Sequence, residues 1–438
     1  MRPAVVPLPP LATEARLPWD AEVDDAVAVI EAARARHGDT FVVDSGRDRW
    51  VFTFSATGID SFYALPEEEA SKGVADFLML RRKVPEEVFL DRRILPGTLF
   101  GVGDTPTYLA RLEEALDRTV EEAGPQGRLD VFDLTRRIAH RMGLASWGGP
   151  GSADGAAFDA LVEAFDRLDG AESFVHPDRM RAVAASGHAA ERAALTVIEE
   201  HLGSAVDRAL ADPGAGLFDR IVAAWAAEEP AVRARGVARD VALIHIASMS
   251  NLAAALGWSF IDVLTRPAVA DAVRDGDDDL AAAAVRESTR LAQRSLMARA
   301  VLRPLRLDVG DAVLEIEPGA FVATLLPVTN RDPSLGHDRW DADRWVRHRF
   351  ADTAGLTTPR AVTAFGHGRH SCPAQPFAVT AMSTALRRLL TAWDVEPCWS
   401  GQPRPVPAQI GGVARAADPC EVRYRRRGDD ADPLGTPR

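Results

Sequence analysis

A single thiol lies in a glycine-bearing loop directly before a helical pattern. The segment FGHGRHSCPAQPF, residues 365–377, contains this thiol as Cys372. Gly366 and Gly368 let the backbone approach something large and flat, because glycine tolerates conformations that other residues avoid. The start of the following helix directs its positive end at the sulfur and favours the thiolate. Cys372 therefore has the properties of a soft, anionic, single-point metal ligand.

Two other interpretations of Cys372 remain open at this stage. A lone cysteine is often a small buried hydrophobic residue with no chemical role. A zinc site would use His367, His370 and Cys372, but Cys398 and Cys420 are remote and no fourth ligand stands at ordinary spacing.

A second motif precedes the cysteine and also suggests a paired charge. Glu287 and Arg290 stand three residues apart in ESTR, a spacing that places carboxylate and guanidinium on one face of a helix. An exposed pair of this kind contributes only ~0.5 kcal/mol, so alone it indicates a solvated face. The sequence continues into NRDP at residues 330–333 and WDADRW at residues 340–345 before it reaches Cys372.

This order of motifs resembles the cytochrome P-450 family of haem-thiolate enzymes, soluble bacterial type. In that family a helix with Glu-x-x-Arg, a meander with a further arginine and Phe-Gly-x-Gly-x-His/Arg-x-Cys precede the last long helix. The resemblance spans roughly residues 20–427 and implies a mainly α, single large helical domain with small β-sheets. Haem b would lie between a central distal helix and the cysteine loop. ASMSN and ESTRLAQRSLMAR more weakly resemble the branch with sterol 7α-hydroxylase and prostacyclin synthase.

The resemblance implies roles for residues of the ligand loop. Cys372 matches the proximal iron ligand, Phe365 the aromatic residue that shields the sulfur, and His370 a donor to a haem propionate. Pro373 has no N–H and Ala374 replaces the usual glycine, so fewer amides face the sulfur. We expect a more electron-donating thiolate and a lower iron potential than in a Pro373→Gly variant.

Further matches concern the arginines. Glu287, Arg290 and Arg344 match the triad that locks the ligand loop in the family, and Arg299 matches a second propionate contact. The family's Trp-x-x-x-Arg contact is missing from the expected helix, and we predict Arg111 as its replacement.

The distal side departs from the family pattern. Ser250 and Asn251 occupy the positions of the acid and alcohol that relay protons during oxygen activation. An asparagine donates hydrogen bonds but does not exchange a proton as a carboxylate does. The leading interpretation is a monooxygenase that uses ordered water near this pair. The alternatives are a peroxide-using peroxygenase or isomerase/dehydratase, a haem-bearing sensor or carrier, and a purely structural role in which both residues cap a local helix distortion.

The resemblance also implies a small, largely apolar substrate. Its pocket is expected beneath helices at about residues 177–211, with His245, Ser248 and Met249 in the wall. His245 fits a satisfied buried imidazole better than an iron ligand.

Composition limits the partners and the compartment. The chain has 438 residues with 51 Lys+Arg and 64 Asp+Glu, a net charge of −13, which argues against nucleic acid and anionic membranes. Three cysteines and a start without a long apolar run suit the cytoplasm.

A ferredoxin and its reductase are the expected electron donors. Arg387 and Arg388 either dock that ferredoxin or form an ordinary solvated face.

The elements that must position these residues are mainly helices. Residues 241–261 carry no Asp, Glu, Lys or Arg and are long enough to span a bilayer, but their His, Ser and Asn side chains favour a buried central helix. Prolines predict an irregular lead-in at residues 1–18, followed by a P-450 domain at 19–427 and a disordered tail at 428–438. A hairpin is predicted around Gly46. Helical spacing is predicted at residues 20–35, 106–122, 131–144, 156–168, 188–210, 217–229, 279–299 and 377–393.

Overall fold

The computed structural model describes residues 4–6, 9–46, 48–94, 99–101, 103–170, 176–346, 349–350 and 355–428. The helices in these ranges are α1 (Ala26–His37), α2 (Ala56–Ala64), α3 (Lys72–Leu80), α4 (Asp104–Ala123), α5 (Val131–Trp147), α6 (Gly155–Asp169), α7 (Pro177–Ala185), α8 (Ala189–Ala211), α9 (Leu217–Ala224), α10 (Pro230–Leu264), α11 (Pro267–Arg274), α12 (Asp278–Ala292), α13 (Leu326–Asn330) and α14 (Gln375–Ala392).

Short strands form the remaining regular structure. They are β1 (Ala4–Val6), β2 (Thr40–Asp44), β3 (Arg49–Thr53), β4 (Ala70–Ser71), β5 (Gln126–Asp130), β6 (Leu296–Val301), β7 (Leu305–Asp308), β8 (Ala312–Ile316), β9 (Ala320–Leu325), β10 (Trp345–Val346), β11 (Arg349–Phe350), β12 (Trp393–Pro397) and β13 (Glu421–Arg426).

The core is built around α10, which packs against α5, α8, α12 and α14. Pro230 opens this helix, where its missing N–H has no intrahelical partner to lose. In the described part of the chain it is the one helix long and apolar enough to cross a membrane, yet 72% of that window is buried in protein. The predicted buried central helix is thus observed, because an element that is apolar all round needs protein on every side.

The largest sheet contains β6, the strand that directly follows the Glu-x-x-Arg helix. Its order is β2-β3-β9-β6-β4, with the predicted hairpin β2–β3 at one edge. β3 runs parallel to β9, and β6 pairs antiparallel with β9. Smaller sheets have the orders β1-β8-β7, β12-β13-β5 and β10-β11. The mainly α fold class with small sheets is confirmed.

The helix predicted at residues 279–299 is too long. α12 ends at Ala292, Gln293 adopts an extended conformation, and β6 follows. Gln293 Nε2 donates to Ala364 O at 2.7 Å, and Arg294 Nε donates to Gln409 O at 2.5 Å. These contacts with residues distant in sequence end the helix against its local propensity.

Both chain ends also differ from their predictions. Residues 4–6 form the edge strand β1 beside β8, so the lead-in is not wholly irregular, and Pro7 beyond it lies outside the described residues. α1 begins at Ala26 rather than near Asp20, because the Asp25 carboxylate accepts from Val27 N and Ala28 N as an N-cap. Of the predicted tail, residues 429–438 lie outside the described residues.

Candidate active site

The ligand loop is closed by its own backbone. Cys372 N donates to Phe365 O at 2.7 Å, which holds the loop in a tight curve before α14. Gly366 has φ +79°, and a Cβ at this position would lie 2.5 Å from His370 O. Only glycine fits such a position, because a side chain would meet both backbone strain and a backbone atom.

The Cys372 thiol faces a cavity of about 710 Å³, which we call the thiol cavity. Burial raises the pKa of the Cys372 thiol, and the backbone amides of Ala374 and Gln375 together with the charge of Lys72 oppose this rise. Two amides therefore face the sulfur although Pro373 supplies none. Phe365 lines the same cavity and packs partly buried against the main core.

The predicted triad is assembled. Arg290 Nη2 and Nε donate to the two oxygens of Glu287 at 2.7 and 2.8 Å, and both side chains are fully buried. Arg344 Nη1 reaches Glu287 Oε1 at 3.4 Å, and Trp345 Nε1 donates to Oε2 at 3.0 Å. Four side-chain N–H groups therefore converge on one buried carboxylate.

Asn330 connects this triad to the ligand loop. Arg290 Nη1 donates to Asn330 O, Asn330 Nδ2 donates to Thr363 O at 2.8 Å, and Thr363 N donates to Asn330 Oδ1 at 2.8 Å. The paired bonds fix the backbone two residues before Phe365. The sequence contained the NRDP segment, but no role was predicted for Asn330. Its position between the two motifs is the signal that could have identified it.

Three basic side chains are among the residues that line the thiol cavity. They are Lys72, Arg92 and His370. Arg92 Nε is buried with no hydrogen-bond partner in the described part of the chain, and the nearest carboxylate atom, Asp240 Oδ1, is 3.9 Å away. An orphaned guanidinium donor is costly unless an anion completes it. Lys72, Arg92 and His370, together with the apolar residues of the same cavity, thus fit an apolar group that carries carboxylates.

Arg111, predicted as the replacement for the missing motif, is not among the residues that line the thiol cavity. It lies on an exposed face of α4 and pairs with Glu114 at 2.8 Å. Arg92 instead supplies a guanidinium to this cavity. It lies between the predicted hairpin around Gly46 and the helix predicted from residue 106, where no element was predicted.

Arg299 is not among the residues that line the thiol cavity either. Its buried guanidinium donates to Ala70 O at 2.8 Å, Phe62 O at 3.1 Å and Glu67 Oε2 at 3.3 Å. The ring of Phe62 lies 6.3 Å from that of His370, so Arg299 is linked to His370 through Phe62. These partners count against the predicted direct propionate contact.

The predicted distal pair is divided between two faces of α10. Asn251 lines the thiol cavity, and its Oδ1 accepts from Val413 N at 2.9 Å. Ser250 faces a second, charged cavity of about 540 Å³, where its Oγ donates to Asp169 Oδ2 at 3.0 Å. Successive residues of an α-helix point about 100° apart, and at this position the rotation directs Ser250 and Asn251 toward different cavities.

The predicted pocket residues are divided in the same way. Ser248 lines the thiol cavity with its Oγ bonded to Ile244 O at 2.5 Å, and Met249 borders both cavities. His245 lines the charged cavity and not the thiol cavity, which corrects its predicted place.

His245 is the middle member of a buried row of three hydrogen-bonded side chains, Trp147, His245 and His140. Trp147 Nε1 donates to its Nδ1 at 3.1 Å, and its Nε2 lies 2.8 Å from His140 Nδ1. Burial and the neighbouring His140 lower the pKa of His245 well below its ordinary value. The neutral, fully bonded imidazole agrees with the interpretation as a satisfied buried histidine.

The zinc interpretation finds no support in the described residues. They contain no group of three or more His, Cys, Asp or Glu side chains that could hold a metal ion. His367 Nε2 bonds to Val362 O at 3.1 Å, and burial lowers the pKa of His367.

Comparisons with known proteins agree with this geometry. The profile of the family described as Cytochrome P-450 matches residues 226–423. Cytochrome P-450 monooxygenase gliF of Aspergillus fumigatus is 28% identical over 49% of this chain and 48% of its own length, so the alignment spans about half of that relative. The 24-hydroxycholesterol 7-alpha-hydroxylase of Homo sapiens is 21% identical over 91% of this chain and 89% of its own.

A solved structure extends the similarity to the whole fold. Retinoic acid bound cyanobacterial CYP120A1 has a TM-score of 0.73 at 16% identity, over 96% of this chain and 99% of that one. Fold and ligand loop define a haem-thiolate architecture. The profile match, the full-length relative and the fold together support a cytochrome P-450 family protein of the monooxygenase type. Membership implies a haem held by a cysteine thiolate, a bound substrate and a redox partner protein.

Proposed function

We propose that this protein is a monooxygenase in which Cys372 is the axial iron ligand of haem b. The observation that carries the proposal is the position of the Cys372 thiol, which faces a cavity of about 710 Å³ from a loop braced through Asn330 by the buried Glu287–Arg290 pair. When bound, the haem supplies the oxygen-activating redox chemistry. Residues 19–427 form one P-450 domain in this proposal.

His370, Arg92 and Lys72 would hold the propionates. All three line the thiol cavity, and the orphaned Arg92 Nε supports an anionic partner there. Phe365 limits water near the sulfur from its partly buried position beside the loop. An apolar, water-poor setting strengthens each of these charged contacts.

The substrate is small and largely apolar in this proposal. Phe77, Leu80 and Leu243 contribute to a predominantly apolar wall of the thiol cavity. The full-length relative named as a 24-hydroxycholesterol 7-alpha-hydroxylase supports a substrate of this class.

Electrons come from a ferredoxin and its reductase in the cytoplasm. Arg387 pairs with Asp278 at 2.9 Å, and Arg388 pairs with Asp117 and, at 3.1 Å, with Glu113. These pairs neutralise the patch that the sequence suggested for docking. We therefore expect Arg387→Glu and Arg388→Glu to slow ferredoxin-driven turnover only modestly and to spare peroxide-driven turnover.

Peroxide-dependent chemistry is the second candidate. The observation that favours it is Asn251, which faces the thiol cavity with a carboxamide that does not exchange protons as an acid does. A peroxygenase or isomerase/dehydratase accepts an already reduced oxygen and needs no external reductant.

The test begins with the ferrous–CO spectrum of the purified holoprotein. We expect a strongly red-shifted Soret band that Cys372→Ser abolishes and that Cys398→Ser, at an exposed cysteine, preserves. Absence of the band from the unaltered protein contradicts the assignment. NADH-dependent oxygen consumption that stops without ferredoxin supports the monooxygenase, whereas turnover on a peroxide alone supports the second candidate.

A further inference from the structure

A carboxylate from another helix meets the Ser250 hydroxyl. We infer that Asp169, on α6, provides the acidic group that α10 lacks, and that Asp169 and Ser250 together pass protons from the charged cavity toward the thiol cavity. This inference rests on the proposed monooxygenase function. Asp169 is a positioning and relay residue in this scheme, because it acts through Ser250.

The contact is built from both sides. Asp169 Oδ2 accepts from Ser250 Oγ at 3.0 Å, and Asp169 Oδ1 accepts from Lys83 Nζ at 2.9 Å. Both members of the Lys83–Asp169 pair are largely buried, with 13% and 20% of their side chains exposed. Asp169 is the last residue of α6, and Gly170 ends that helix in the left-handed conformation. The carboxylate is therefore held at Ser250 by an ion pair and a helix end.

The electrostatics keep this carboxylate ionised between transfers. Burial would raise the pKa of Asp169, but the Lys83 ammonium and the hydrogen bonds from Lys83 and Ser250 hold it below its ordinary value. The ionised carboxylate accepts a proton from a hydronium ion in the charged cavity, which becomes water. The Ser250 hydroxyl then turns to donate its own proton toward the thiol cavity while its oxygen receives the proton from Asp169. Each transfer conserves atoms and charge, and the solvent supplies the protons.

The position between two cavities gives the relay a direction. Ser250 and Asp169 line the charged cavity, whereas the neighbouring Asn251 lines the thiol cavity. Met249 and Val413 border both cavities. The proposed path passes between the cavities beside these two residues and is completed by a bridging water.

Two other carboxylates of the charged cavity, Asp166 and Asp159, are engaged by basic side chains. Asp166 contacts His140 Nε2 at 3.2 Å and Arg136 at 3.1 Å, and Asp159 accepts from Arg137 at 3.0 Å. Among the described acidic residues that line this cavity, Asp169 is the one bonded to a side chain of α10.

The test compares Asp169→Asn, Ser250→Ala and Asp169→Glu with Glu163→Gln, an exposed lining residue of the same cavity. General acid catalysis contributes about 10²–10⁴-fold in rate, and water remains as a substitute, so we expect Asp169→Asn and Ser250→Ala to lower product per NADH roughly tenfold. Released hydrogen peroxide should rise, KM and peroxide-driven turnover should stay unchanged, and Asp169→Glu should recover part of the coupling. Glu163→Gln should match the unaltered protein.

A measurement without turnover tests the contact itself. The free energies of unfolding of Asp169→Asn, Ser250→Ala and the double variant should be non-additive, and additive values overturn the inference. Ser250→Ala keeps the Lys83–Asp169 pair, so it serves if Asp169→Asn fails to fold. If both single variants form as much product per NADH as the unaltered protein and show a normal ferrous–CO band, this inference alone is refuted. Absence of that band from the unaltered protein refutes the haem-thiolate function and the inference with it.

Discussion

Removal of the Glu287 carboxylate should destabilise this protein far more than removal of an exposed partner. In Glu287→Ala, Arg290 keeps its contacts with Asn330 O and His337 O but loses both carboxylate bonds while remaining fully buried. Breaking a buried pair by deleting one partner costs about 3–5 kcal/mol. The expected loss is therefore a large part of a typical folding stability of about 5–15 kcal/mol.

A matched control exists on β7 and β8. Arg306 and Glu315 form a pair at 2.9 Å, nearly the same distance as the 2.7 Å of the buried pair, but their side chains are 69% and 51% exposed. Solvent screens such a pair, so Glu315→Ala should cost less than about 1 kcal/mol. The comparison isolates burial from distance.

The assay is urea unfolding of the holoproteins, followed by tryptophan fluorescence and by the Soret band. Loss of haem should precede loss of fluorescence in Glu287→Ala, because Asn330 transmits the damage to the ligand loop. If the protein is too unstable to purify, Glu287→Gln preserves the side-chain volume and removes only the charge. A Glu287→Ala protein as stable as Glu315→Ala refutes the reasoning.

Four further predictions follow from single sites. Asn330→Ala should broaden or shift the ferrous–CO band with little change in secondary structure by circular dichroism, since it frees the backbone before the ligand loop; an unchanged band contradicts the bracing role. Pro373→Gly should raise the iron potential in a redox titration by adding an amide at the sulfur, and equal potentials end that idea. Arg92→Ala should weaken haem retention about tenfold to 100-fold in transfer to apomyoglobin, whereas Arg111→Ala should not. Burial raises the pKa of Asp262 to about 6, above the unfolded value of about 3.9. Protonated Asp262 therefore stabilises the fold fully below about pH 3.9, and this stabilisation is lost as the pH rises through 6. In urea unfolding between pH 4 and pH 7, Asp262→Asn should lack this loss of stability.

The order of motifs was sufficient to predict the family, the fold class and the triad. Glu287 and Arg290 are three residues apart on one helix, so their pairing follows from helix geometry alone. The closure of the ligand loop likewise follows from short-range features, namely Gly366 and the helix that starts after Cys372.

Tertiary structure decided the features that depend on which face of an element meets which neighbour. The sequence placed Ser250 and Asn251 together, but a rotation of about 100° per residue sends them to different cavities. Arg111 has a guanidinium of the kind that would pair with a propionate, but it lies on a solvent-exposed face. Arg92, from a segment in which no element was predicted, lines the thiol cavity instead. Asp169 and Ser250 are 81 residues apart, and only the packing of α6 against α10 joins them. Local chemistry is determined by residue type and short spacing, whereas long-range partners depend on packing that no short window of sequence contains.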